Sequence, residues 1–227
     1  MIDTANTERA DRSVQAGLRA RKKQATRQAL SQAALRLAVE RGFDNVLVED
    51  IAAEVDVSTR TFNNYFSSKH QAICAPGIDR AESLGAALRA RPAAEYLWDA
   101  ITEAVLEHFD DSADEPDRDW FTAVRLVMSA PVLQGEYLKV NVRTQLVLAE
   151  AIAERADLDN SVDMLPMILA GAVIAACQVA VERWLTIDTS TPLQALLREA
   201  LRQLSTARQP GALSRMSNED QQAGIRS

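Results

Sequence analysis

The 227-residue chain has few of the residues that build metal and redox centres: two cysteines, Cys74 and Cys177, and two histidines, His70 and His108. Two thiols cannot make a disulfide framework, and no metal-ligand spacing connects them to the histidines, so neither a metal nor a cofactor is expected. A reducing, cytoplasmic setting fits that composition. The N-terminus has no cationic stretch leading into an apolar one, so no secretory leader is expected. No nucleophile elbow or glycine-rich phosphate loop frames the Ser, His and Asp residues. The acidic run Asp110–Asp119 lacks the spacing of a calcium loop. These absences speak against an enzyme. Strand-like alternation and internal repeats are missing too, which leaves an all-α chain.

A membrane span is also not expected. Met164 to Val181 is the most apolar stretch, but it falls slightly short of the ~20 residues a span needs. Asp163 precedes it and Glu182-Arg183 follow it, so it reads as a buried helix in a bundle.

What is present is globular: 47% hydrophobic and 25% charged residues can supply a real core. The net charge of −7 is unevenly spread. Residues 1–70 carry 11 Lys/Arg against 9 Asp/Glu, and the remainder carries 14 against 23. Gly17 to Arg27 contains Arg19, Arg21, Lys22, Lys23 and Arg27 and no acid. A basic arm on an acidic protein suits one end that meets a polyanion, although a solvated tail remains an alternative.

Residues 1–16 are polar and aperiodic and are expected to be a disordered tail. From Gln24 an apolar stripe recurs at helical spacing through Leu30, Ala33, Ala34, Leu37 and Ala38, and Gly42 stands where a helix C-terminal glycine belongs. Val48, Ile51, Ala52 and Val55 predict a second, two-turn helix. Ser58 is placed to cap a third over Thr59 to Tyr65, anchored by Phe62 and Phe66. Thr59, Arg60, Thr61, Asn63, Asn64 and Tyr65 are then free to point outward.

That outward set has DNA-reading chemistry. A helix enters the major groove when a preceding helix braces it. Arg can bond guanine and Asn adenine, while Thr and Tyr hydroxyls suit phosphates. Many such hairpins are plain structure, so the motif alone leaves both readings open.

The run from Arg21 to Ile73 resembles the DNA-binding domain of the TetR family of transcriptional regulators. The matching residues are Ala33-Ala34, Phe43 after Gly42, Ile51-Ala52, Val57-Ser58, Thr61, Phe62, Tyr65-Phe66 and Ser68-Lys69. The resemblance implies that Ser58, Thr59, Arg60 and Thr61 open the recognition helix, with Asn63, Asn64 and Tyr65 along it. It also implies that Lys69 reaches a phosphate, and that Lys22, Lys23 and Thr26 touch the backbone; Arg19 and Arg21 of the basic arm join them as DNA-binding candidates. Three positions depart from the family pattern: Asp56 replaces the usual turn glycine, Asn63 an aromatic phosphate contact, and Leu47 a helix-capping Ser or Thr.

The expected organisation is a tail (1–16), a three-helix helix-turn-helix domain (17–73), a helical ligand-binding and dimerisation domain (74–206) and a second disordered tail (207–227). Pro76-Gly77 is a candidate bend near the junction. Met128 to Leu204, with Arg183-Trp184-Leu185, is similar to the group of TetR-like ligand domains typified by the mycofactocin regulator. This resemblance implies an apolar, acyl-CoA-like effector and a homodimer formed by the last two helices. Candidate pocket residues are Trp98, Ile101, Val105, Phe109, Trp120, Phe121, Val124, Met128, Met164, Met167 and Trp184. Residues of these types at helical spacing are more often plain core than ligand wall.

The expected function is thus a homodimeric repressor on a near-palindromic double-stranded DNA operator, released by a small apolar molecule. The rival is a small-molecule-binding or scaffold protein with a weakened DNA-binding head.

Overall fold

The computed structural model describes residues 3–109, 124–128, 130–186 and 191–207, with side chains from Gly17 onward. The helices are α1 (Asp3–Arg41), α2 (Val48–Glu54), α3 (Thr59–Asn63), α4 (Lys69–Ala90) and α5 (Leu97–His108). They continue with α6 (124–128), α7 (Gln134–Ala156), α8 (Leu165–Thr186) and α9 (Leu193–Ala207). Short 3-10 turns occupy Phe43–Asn45 and Pro131–Leu133, and no strand occurs among the described residues. The architecture is all-α.

The chain divides into two compact units, Met1–Gly77 with Pro116–Leu138, and Ile78–Glu115 with Lys139–Ser227. The division falls inside α4 directly after Pro76-Gly77, four residues past the boundary read from the sequence. Pro76 has no N–H to donate to the Ala72 carbonyl, so the α4 ladder is interrupted there. The tail expected over 207–227 lies outside the described residues, apart from the α9 end at Ala207.

In the first unit the predicted stripe of α1 is the core: Leu30, Ala33, Ala34, Leu37 and Ala38 are buried. They meet Phe43, Val46, Ile51, Ala52, Phe62 and Phe66, all buried as well. Each large side chain buried this way contributes about 1.5–3 kcal/mol. Gly42 ends α1 at φ 80, a conformation that favours glycine, and Asn45 Nδ2 donates to the Arg41 carbonyl at 2.7 Å. At its other end α1 differs from the sequence expectation, which starts a helix at Gln24 and leaves 1–16 disordered. The helix begins at Asp3. Residues 3–16 contain neither glycine nor proline, so a helix nucleated by the packed turns downstream meets no breaker.

The second unit is built on Ala100, Ile101, Ala104 and Val105 of α5, Val147, Leu148, Ala151 and Ile152 of α7, and Leu197 and Leu201 of α9. Helices α8 and α9 pack along each other, and α5 packs on α9. At Gly85 the α4 backbone comes so close to α7 that a Cβ would overlap Val147 Cγ1. Arg155 donates to the carbonyls of Arg91 and Pro92, both at 2.8 Å, and closes the segment after α4. Arg89 forms a two-pronged bond with Glu154 at 2.5 and 2.9 Å.

Helix α8, read from the sequence as a buried helix in a bundle and one of the two dimer helices, is buried on one side only in the single chain. It is long and apolar enough to cross a membrane by length and composition, with mean hydropathy 1.9, yet only 39% of that window is buried. Leu169, Ala170, Val173, Cys177 and Ala180 point inward, while Ile168, Ala175 and Val179 lie on an exposed stripe.

Candidate nucleic-acid interface

The local geometry begins where α2 starts without a conventional cap. Leucine has no acceptor, so Leu47 caps nothing with its side chain. The Asp50 carboxylate instead accepts from the Leu47 N–H at 3.0 Å, the reciprocal half of a capping box. Helix α2 ends in a left-handed residue, Asp56 at φ 54. The Val57 N–H reaches the Ala52 carbonyl at 2.9 Å and the Asp56 N–H reaches that of Ala53 at 3.1 Å. Those two bonds define a Schellman motif, and Asp occupies the site glycine favours. Aspartate tolerates this region better than most residues, so the turn forms without glycine.

Ser58 then caps α3. Its Oγ accepts from the Thr61 N–H at 3.1 Å and lies 2.9 Å from Thr61 Oγ1. Within α3 only Phe62 is buried, against Phe66 at a ring-centroid distance of 5.7 Å. Ser58, Thr59, Arg60, Asn63 and Asn64 are exposed, and Thr61 and Tyr65 are half-buried. No acceptor among the described residues holds the Arg60 guanidinium. One short helix therefore presents Thr, Arg and two Asn on one side and an aromatic anchor on the other. This is donor and acceptor chemistry suited to base edges and phosphates.

Lys69, read from the sequence as a phosphate contact, has a different first commitment. Its Nζ donates to the Phe43 carbonyl at 3.1 Å and to the Val46 carbonyl at 2.9 Å, and lies 4.5 Å from the Phe43 ring centroid. Two of its three protons are thus used to tie the α1–α2 connection to the start of α4. Ser68 caps α4 by accepting from the Gln71 N–H at 3.2 Å.

Upstream, Arg19, Arg21, Lys22 and Lys23 are exposed on α1, and Thr26 Oγ1 donates to the Lys22 carbonyl at 3.0 Å. The Arg27 guanidinium lies 5.3 Å from the Phe66 ring centroid, joining the basic segment to the end of α3. Sequence reasoning did not assign Arg27 or Asp50 these roles. Asp50 three residues after Leu47 was a legible signal for the cap, whereas Arg27 and Phe66 are joined only by the tertiary fold.

The candidate pocket residues are less unified. Val124 and Met128 belong to the first unit and Trp98, Ile101, Val105, Phe109, Met164, Met167 and Trp184 to the second, while Trp120 and Phe121 lie outside the described residues. Ile101 and Val105 are core. Met164 is 75% exposed, in the connection from α7 to α8, and walls no enclosed cavity among the described residues. A depression of about 520 Å³ lies at the end of α7, lined by Glu150, Ala153, Glu154, Asp157, Leu158, Asp159 and Asn160. It is acidic and shares no residue with that set.

In the second unit, burial, with the Arg80 charge, pushes His108 down to about 3. Burial pushes both thiols up to about 12, with the Glu136 charge adding to the shift at Cys74, so neither is a poised nucleophile. Among the described residues no group of three His, Cys, Asp or Glu side chains is placed to hold a metal.

Comparison with known proteins agrees with this geometry. Residues 30–71 match the family described as bacterial regulatory proteins, tetR family, and residues 95–209 match the MftR C-terminal domain. The chain is 34% identical over 185 residues to the HTH-type transcriptional regulator TcmR of Streptomyces glaucescens, covering 79% of this chain and 81% of that one. It is 25% identical over 178 residues to a Mycobacterium tuberculosis protein named as the mycofactocin biosynthesis transcriptional regulator MftR, covering 78% and 88%. Among solved structures it is similar to a protein described as a TetR-family transcriptional regulator from Mesorhizobium loti. The TM-score is 0.52 at 16% identity, over 79% of this chain and 95% of that one.

Proposed function

This chain belongs to the TetR family of bacterial transcriptional regulators, and we propose that it acts in the cytoplasm as a homodimeric repressor released from its operator by a small apolar molecule. The observation that carries the reading is the division of labour on α3. Phe62 alone holds the helix down, and Thr59, Arg60, Asn63 and Asn64 remain free to meet a major groove. Arg60 is the strongest candidate for a base contact, through guanine O6 and N7. Lys69 contributes by fixing the α1–α2 connection, with its third proton available to a phosphate.

Two-fold symmetry supplies the second half-site. The exposed stripe of α8, Ile168, Ala175 and Val179, is apolar and lies on one of the two helices that the family resemblance assigns to the dimer. A second copy laid along it would remove that surface from water. The apolar effector, of acyl-CoA-like type, would bind within the second unit beside Trp98, Phe109, Met167 and Trp184. It can release DNA only by binding the non-fitting conformation more tightly than the fitting one.

The test is selection of genomic fragments by the purified protein, followed by footprinting with and without lipid extract. A protected near-palindrome, lost on adding the extract, is the expected result. Absence of any sequence-specific, salt-sensitive complex would sink the proposal. The rival reading, a binding module with a weakened head, draws support from the two carbonyls that occupy Lys69. Arg60→Ala separates the two readings: under the rival, no regulated transcript changes.

A further inference from the structure

We infer that the second copy packs across the place where α7 meets α8 and leaves α9 outside the interface. The inference rests on the homodimer reading above and departs from the family resemblance, which assigns the last two helices to the dimer. Area sets the first requirement. At 22 residues α8 is about 33 Å long, and a strip one helix wide offers roughly 330 Å². A stable interface takes about 800 Å² from each partner, so a second helix must join it.

Chemistry selects that helix. The apolar side of α9 is spent inside its own chain, where Leu193, Leu197 and Leu201 are buried. Its outward residues Arg198, Glu199, Arg202 and Gln203 are polar and already paired. Glu199 accepts from Arg202 at 2.8 and 2.7 Å and from Gln203 at 2.8 Å, and Arg198 pairs with Glu103 at 3.0 Å. Such groups suit water better than the centre of an interface.

Helix α7 offers the opposite. Its Gln145 Nε2 donates to the Met167 carbonyl of α8 at 3.2 Å, and a Cβ on Gly171 would come within 2.8 Å of that nitrogen. The two helices therefore meet at Gln145 and Gly171. Val142 and Leu146 flank Gln145 at i−3 and i+1 and are 56% and 38% exposed. Ile168 and Ala175 flank Gly171 at i−3 and i+4 and are exposed as well. The apolar surface thus continues from α8 onto α7, with no charged residue from Met164 to Val181.

The pattern along α8 names the occupant. An antiparallel pair centred between Val173 and Ile174 sets Ile168 against the partner's Val179. The same axis sets Gly171 and Ala172 against the partner's Ala176 and Ala175. Small residues then meet where crossing helices come closest, and larger ones where they diverge. That self-match is what a two-fold contact requires, and it fits a second copy of this chain.

The experiment measures the dimer dissociation constant by sedimentation for wild type, for Val142→Asp on α7, and for Ala195→Asp with Gln203→Asp on α9. Circular dichroism verifies that each variant keeps its helices. Val142→Asp should raise the constant about 100-fold or more by burying an unpaired charge, and the α9 pair should leave it unchanged. A short bis-maleimide should join two copies of Ala175→Cys and none of Gln203→Cys; wild type gives no product, since Cys74 and Cys177 are buried. Dissociation by the α9 pair, a dimer indifferent to Val142→Asp, or cross-linking through residue 203 would overturn the inference while leaving the homodimer intact. A wild type that is monomeric at every concentration overturns the homodimer reading itself, before any variant is compared.

Discussion

In the head, the buried apolar side chains of α1, α2 and α3 form one core, and the outward side of α3 is polar. In the second unit, α8 buries Leu169, Val173 and Cys177 on one side and leaves Ile168 at 59% and Val179 at 61% exposure on the other. A single copy thus completes the core of the head but leaves an apolar face of α8 uncovered. The difference teaches where to look for partners: polar surface on a finished core speaks of DNA, and apolar surface on an unfinished one speaks of a second copy.

The sharpest way to break that contrast is inside the head. Phe62→Ala removes the one side chain that anchors α3 and should cost about 3–5 kcal/mol, read as a fall in the unfolding midpoint together with loss of DNA binding. If stability hardly moves, α3 is held by something other than its aromatic anchor. The matching change in the second unit, Ile168→Asp with Val179→Asp, should leave helix content and thermal stability of the single chain intact. It should yield a monomer by light scattering and weaken operator binding by about 100-fold or more, through loss of the paired half-site. A dimer that survives would place the subunit interface elsewhere.

Arg60→Ala tests the polar side of the comparison. It should cost about 1–3 kcal/mol on the operator and relax preference at one base pair, with stability unchanged. Equal weakening on unrelated DNA would make Arg60 a phosphate contact. The smallest effect belongs to a feature shared by both units. Asp56 at φ 54 and Asp157 at φ 53 each follow the end of a helix in the left-handed region. Asp56→Gly and Asp157→Gly should each stabilise by about 0.5 kcal/mol, the relief of the strained backbone being partly offset by a freer unfolded chain. Stabilisation at one and not the other would show that the two ends differ in more than conformation.

Legibility in the sequence followed the range of the interactions. Ser58 as a cap, the Phe62–Phe66 pair and the stripe from Leu30 to Ala38 are all set within a turn or two of chain, and the sequence displays them. The carbonyl bonds of Lys69 escaped the sequence because its partners, Phe43 and Val46, are brought to it only by the tertiary fold. The reach of α1 to Asp3 escaped because a helix without an apolar stripe leaves no periodic trace. The pocket set was the least legible, since a core wall and a ligand wall call for the same residues at the same spacing.

The near-silence of α3 in the fold has a bearing on how such proteins diverge. Since Thr59, Arg60, Asn63 and Asn64 touch little of their own chain, they can drift singly without a compensating change elsewhere. A duplicated copy of this gene could acquire a new target by a handful of substitutions and remain as stable as its parent. On the proposed reading, these four residues are interchangeable lettering on a fixed plate.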